Sequence, residues 1–141
     1  MSKTHKPAFA QDPQTFGAVL TAAGAAAGTD AVELYTAGTE GCLITRLSIT
    51  PLGTVTATGV VVYVQKAGSS VKVPRFSATV AAYTLAATAK LPVQHLAEIA
   101  ESTPVRLGRG DKLFAATLVA NASGIAVAGE VSEFKDVGEA V

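Results

Sequence analysis

The sequence has no tryptophan, one cysteine, one methionine and only eight aromatic residues, five phenylalanines and three tyrosines, among 141 positions. Each shortage excludes something. A lone cysteine, Cys42, cannot close a disulfide within the chain, so a disulfide-stapled scaffold is excluded. The two histidines, His5 and His95, have no ligand partners nearby in sequence, whereas a closed zinc site takes four ligands. No metal and no other cofactor is expected. Charge is scarce too: charged residues make up 16% of the chain, against about 25% in an ordinary soluble domain. Eleven basic residues balance 11 acidic ones. Nucleic acid and anionic lipid are recognised by clustered Lys and Arg. The nearest approaches here, Lys66, Lys72 and Arg75, then Arg106, Arg109 and Lys112, are short and lack interleaved aromatics. Nucleic acid is not an expected partner. No apolar run reaches the roughly 18 residues of a membrane helix, and residues 1–14 lack the apolar segment of a signal peptide. No membrane association is expected, and synthesis in a reducing cytoplasm is.

What remains is a chain of small residues. Apolar residues reach 49%, much of it alanine and valine. Small side chains let sheets approach closely but bury little area each. A surface poor in charge and rich in Ala, Thr and Val leaves apolar patches wet unless another subunit covers them. The composition hints at assembly.

Residues 102–134 are the most legible stretch. Gly108-Arg109-Gly110-Asp111 forms a turn, a run of strand-like composition follows, Asn121-Ala122-Ser123-Gly124 breaks it, and a second apolar run resumes. Two such runs around a short Asn/Ser/Gly break predict an antiparallel hairpin. In the second run Ile125, Val127 and Val131 share one face and Glu130 and Ser132 the other. In the first, Leu113, Ala115 and Val119 oppose Phe114, Ala116 and Leu118.

Upstream, residues 16–21 read as a short strand and the Ala/Gly-rich residues 22–30 as a loop. Residues 31–36 alternate. Residues 42–50 form a strand with Leu43, Leu47 and Ile49 on one face, ended by Pro51. Val60 to Val64 is apolar on both faces, as a strand buried on both sides requires. Residues 71–85 lean to strand through Phe76, Ala78 and Val80. Residues 94–101 are the best helix candidate, with Leu96, Ile99 and Ala100 at helical spacing. The pattern predicts an all-β fold, an antiparallel β-sandwich or jelly-roll-like barrel, with at most one short helix. The expected organisation is an extended N-terminal arm over residues 1–14, a β domain over 15–134 and a polar tail over 135–141.

No chemistry-bearing constellation stands out. Cys42 heads a strand, where a small buried group is its common role. Glu98 and Glu101 fall three apart on a solvated face. Gly108-x-Gly110 lacks the third glycine and the helix of a phosphate cradle. Arg109-Gly110-Asp111 matches the tripeptide read by animal adhesion receptors, yet a β-turn by itself asks for Gly and Asp there. An enzyme is not expected.

Four segments carry a resemblance. They are Pro13-Gln14-Thr15-Phe16-Gly17-Ala18-Val19-Leu20, Tyr35-Thr36-Ala37-Gly38 with Gly41-Cys42-Leu43-Ile44-Thr45-Arg46-Leu47, Pro51-Leu52-Gly53-Thr54, and Gly110-Asp111-Lys112-Leu113. In style and order they resemble small β-rich structural proteins of tailed bacteriophages, closest to head decoration (cement) and head-fibre base proteins. The likeness spans most of residues 13–134 and rests on short motifs. It implies a β-sandwich on the outside of a virion capsid, stabilising contacts between major capsid protein subunits. The implied partners are that protein and further copies of this chain, with a trimer favoured. Lys6, Phe9 and Phe16 are the expected partner contacts, Phe9 anchoring the arm. A tail or head-fibre protein is the alternative. A carbohydrate-binding module is a third reading, weakened because Tyr35, Tyr63 and Tyr83 fall inside predicted strands.

Overall fold

The computed structural model describes residues 8–23, 30–88 and 90–136. Nine strands follow in order: β1 Ala8–Leu20, β2 Val32–Thr36, β3 Cys42–Pro51, β4 Thr58–Gln65, β5 Lys72–Val80, β6 Gln94–His95, β7 Val105–Leu107, β8 Lys112–Thr117 and β9 Ile125–Asp136. They form two sheets, one in the order β1-β9-β3-β6 with β7 also on β3, the other β2-β8-β4-β5. Every strand pair is antiparallel. The protein is an all-β sandwich of jelly-roll type, its chain passing repeatedly between the sheets.

The core is the set of inward positions that period two assigns to each strand. Val60, Val62 and Val64 of β4, Leu113 and Ala115 of β8, and Ile125, Val127 and Val131 of β9 are all buried between the sheets. The predicted face of β9 is therefore the observed one, and Leu113 and Ala115 of β8 face inward as expected, but β8 ends at Thr117 and leaves Val119, expected beside them, 44% exposed. In β3 the inward residues are Cys42, Ile44, Leu47 and Ile49, while Leu43 lies on the outer side of the phase. A β-bulge between Ile44 and Arg46 causes this, because one extra residue reverses the facing of all that follows. Strict alternation, which grouped Leu43 with Leu47 and Ile49, fails at that bulge.

Residues 94–101 are not helical. Gln94–His95 pairs with β3, the Leu96 amide donates to the Leu47 carbonyl at 2.9 Å, and Ile99 closes a turn onto Leu96 at 3.1 Å. Leu96 and Ile99 are both buried, so their three-residue spacing marks two core pegs on a turn. β6 and β7 lie on the same side of β3 and run the same way. They are two halves of one strand position, interrupted alongside the β3 bulge.

The expected boundaries also move. β1 begins at Ala8, and its register with β9 runs from Ala8 opposite Asp136 to Leu20 opposite Ile125. Half of the predicted arm, residues 8–14, is thus an edge strand of the sandwich, and Lys135 and Asp136 of the predicted tail belong to β9. Prolines on an edge strand lose nothing, since a missing N–H can face outward, which is how Pro13 fits opposite Ser132. The remaining arm residues, including Lys6, and residues 137–141 lie outside the described residues.

Candidate functional site

Most polar groups of the sandwich hold the fold together. Glu133 falls two residues beyond Val131 on the inward phase of β9 and is buried. Its carboxylate accepts the Tyr35 hydroxyl and the Gly38 amide, the latter at 3.1 and 3.3 Å. Burial, and then the adjacent Glu133, raise the Tyr35 hydroxyl well above the usual tyrosine range. Cys42 is fully buried beside this pair; burial first, and the negative charges of Glu133 and Asp111 next, push its thiol up to about 12. A thiol so held is a poor nucleophile. His95 faces Ser48, six residues along β3 from Cys42 and therefore roughly 20 Å away at strand spacing, so the two do not form a nucleophile–base pair.

Asp111 closes the Arg109-Gly110-Asp111 question. Its carboxylate is 4% exposed and accepts the Ala67 amide at 3.0 Å, the Gly108 amide at 3.0 Å and the Lys66 ammonium at 3.1 Å. Burial raises this carboxyl, but the Ala67 amide, Lys66 and the Gly108 amide outweigh it and hold it below the usual aspartate range. Gly110 supplies the positive φ, +74°, that the turn demands. The carboxylate an adhesion receptor would need is spent inside the protein.

The outer face of the β1-β9-β3 sheet carries an open groove of about 660 Å³, lined by Gln14, Thr15, Thr45, Glu101, Glu130 and Ser132 over Pro13, Leu43 and Val131. A smaller cleft of about 300 Å³ shares Thr45 and Glu101 and adds Arg46 and His95. Neither lining includes an aromatic ring. Among the described residues, no cluster of His, Cys, Asp or Glu is arranged to hold a metal ion. Nor is any helix there long and apolar enough to cross a membrane.

Phe16, expected at a partner, is half-buried against the core, and its ring lies 5.6 Å from that of Tyr35. It passes over Gly129, where a Cβ would collide with the ring and stand 2.5 Å from the Arg46 carbonyl. Phe9 sits in β1 opposite Lys135.

The feature that composition could not locate is at one end of the sandwich. The last residues of β1, β3, β5 and β8 and the first of β2, β4, β6 and β9 meet there. The described connections at that end are residues 21–23, 30–31, 52–57, 81–88, 90–93 and 118–124, and among these described residues the only charged ones are Asp30 and Lys90. They are knitted together. Leu52 donates to Gly124 at 3.0 Å, Asn121 to Thr21 at 3.0 Å, and Val55 and Tyr83 exchange bonds of 2.9 and 3.0 Å. The buried Asn121 accepts from the Thr56 amide at 3.1 Å. Yet Val19, Leu52, Leu85, Val93, Leu118 and Val119 project from this end at 43–55% exposure. Exposed apolar side chains gathered at one end of a fold are what an interaction surface offers. The opposite end carries Glu40, Lys66, Arg109 and Asp111 in its connections, with Val71 beside them at 62% exposure.

No family model matches the sequence, and no curated protein matches it. Among solved structures, the Eiger TNF of S. frugiperda is similar at a TM-score of 0.47 with 9% identity, over 92% of this chain and 98% of that one.

Proposed function

We propose that this chain is a virion structural protein, a decoration protein that binds the outer surface of a tailed-phage head and stabilises contacts between major capsid subunits, with no catalytic role. The carrying observation is the charge-poor end with its six projecting apolar side chains. Interface centres are depleted in charge and rich in apolar area, and a fold does not otherwise gain by keeping Leu85 or Leu118 in water. The polar side chains described above hold turns and sheets in register, which suits a scaffold. Resemblance of the segments at Pro13, Tyr35, Pro51 and Gly110 to phage head proteins supplies the identity of the surface bound.

This reading moves the main contact away from the N-terminal arm. β1 starts at the opposite end, where Ala8 faces Asp136. Contacts of Lys6 and Phe9 with neighbouring copies, within a trimer closed by cyclic symmetry, are proposed as well. Phe16 is half-buried against its own core and takes no part in this proposal.

The test is cosedimentation of the purified protein with purified heads of a phage lacking it, followed by imaging of the particles. Saturable binding to the head lattice, lost on Leu118→Asp, is the expected result. Absence of binding, or density on the tail alone, would overturn the proposal. A glycan screen is expected to be blank, since no aromatic platform lines either outer-face cleft.

A further inference from the structure

The open groove of about 660 Å³ on the outer face of the β1-β9-β3 sheet combines two chemistries. Pro13, Leu43 and Val131 give it an apolar floor, and Glu101 and Glu130 set two carboxylates above that floor. No basic side chain lines it. Arg46 stands opposite Glu130 across the β3–β9 ladder but lines the neighbouring cleft. Among the described residues the ion pairs are Lys66 with Asp111 and Lys112 with Glu33, so neither groove carboxylate belongs to one.

An apolar floor beneath carboxylates suits one kind of side chain above others. Lysine lays a stem of methylenes along apolar surface and carries its ammonium to acceptors beyond it. The chain itself holds a segment of that chemistry. Residues 1–7 contain Lys3, His5 and Lys6 and no acidic residue, and they lie outside the described residues.

Reach decides whose segment fits. β1 starts at Ala8, and Glu130 pairs with Thr15, roughly 23 Å further along the strand. Doubling back from Ala8 carries the Lys6 backbone no more than about 7 Å, and two facing side chains add on the order of 10 Å. Lys6 therefore falls short of Glu130 in its own chain, and Lys3 arrives only on a segment pulled straight. The segment of a neighbouring copy has no such limit.

We infer that this groove receives residues 1–7 of a neighbouring copy, whose Lys3 and Lys6 set their ammonium groups at Glu101 and Glu130 and their stems on Leu43 and Pro13. The inference rests on the copy-to-copy contact of Lys6 proposed above and gives that contact its receiving surface.

A charge exchange in the full chain tests it, read as mass in solution by sedimentation. One variant carries Lys3→Glu and Lys6→Glu, the other Glu101→Lys and Glu130→Lys. Each alone should associate at least tenfold more weakly than the native chain, because like charges then meet. Mixed in equal amounts, the two should recover native association, since the acidic segment of one fits the basic groove of the other. Glu101 and Glu130 are exposed, so melting should stay native. Where a reversal does lower it, Glu101→Gln with Glu130→Gln carries the test instead. That pair should weaken association about fivefold, as should added salt on the native chain. Association unchanged in either reversal, or unchanged in the Gln pair, overturns the groove and leaves the trimer standing. Recovery with all four substitutions in one chain, but not in the mixture, puts the segment in its own groove and overturns the assignment to a neighbour. Recovery in neither overturns the contact altogether. A native chain that sediments as a monomer overturns the copy-to-copy reading and this inference with it, while head docking keeps its separate test.

Discussion

Tyr35 on β2 donates its hydroxyl to the buried carboxylate of Glu133 on β9, tying one sheet of the sandwich to the other across 98 positions of sequence. The Gly38 amide adds a donor to the same carboxylate, so the buried charge is met from two directions. Removing one donor leaves that charge short of a partner in a poorly solvated place, which costs more than the bond itself contributes. Tyr35→Phe should destabilise the protein by about 1–3 kcal/mol, read as a lower urea midpoint at unchanged slope.

Tyr35 and Cys42, both beside Glu133, set the alkaline limit. Tyr35 and Cys42 both ionise at higher pH folded than unfolded, Cys42 at about 12 against an ordinary value of 9.0. A raised pKa means stability present below the unfolded value and lost as pH climbs through the folded one. Unfolding free energy should therefore hold to pH 9 and fall steadily toward pH 12. Cys42→Ala should flatten the lower part of that fall, whatever it does to overall stability. A profile identical in shape for the variant would contradict the assignment.

At the other end of the pH scale Asp111 acts in the opposite sense. Its lowered pKa gives stability that is complete above the ordinary aspartate value of 3.8 and drains away as pH falls below it. Asp111→Ala should lose on the order of 2 kcal/mol at pH 7, because two amides are stranded. Lys66→Ala should lose less than about 0.5 kcal/mol, since the lysine side chain is 77% exposed and screened by water. Equal losses would show that the ion pair, and not the amide bonds, holds the turn.

Gly129 is a packing requirement. A methyl group there meets both the Phe16 ring and, at 2.5 Å, the backbone carbonyl of Arg46. Gly129→Ala should destabilise by about 2 kcal/mol or more, as overpacking does. Adding Phe16→Leu should recover only part, because a backbone carbonyl cannot move aside as a ring can. Thermal melts of the single and double variants decide this.

Leu52→Asp and Leu118→Asp should change the melting free energy by no more than about 0.5 kcal/mol, as exposed sites usually do. Each should nonetheless reduce binding to heads at least tenfold. Equal losses of stability and binding would point to a folding defect instead.

How much of this was readable beforehand varies from strand to strand. β8 and β9 were legible in detail, because period two runs unbroken from Leu113 to Ala115 and from Ile125 to Val131. β3 was legible as a strand but not in its facing: a bulge has no signature when the neighbours, Leu43 and Ile44, are equally apolar. Leu96 and Ile99 mimic a helix because a turn and a helix both bring residues three apart to one side. The partner of Glu133 was hidden for another reason. Its inward phase could be counted from Val131, but only the fold brings Tyr35 to it. The apolar end was the least legible, since it is assembled from four connections that are far apart in sequence and unremarkable one by one.

β9 lies in the middle of its sheet, between β1 and β3, and its ladder with β1 joins the earliest described strand to the latest. During synthesis, then, β1 and β3 emerge with nothing to hydrogen-bond between them, and that sheet can assemble only once residues 125–136 have cleared the ribosome. Pairings this distant in sequence close slowly. That sheet should therefore close in a late step, and a nascent chain stopped before Ile125 should stay open to protease.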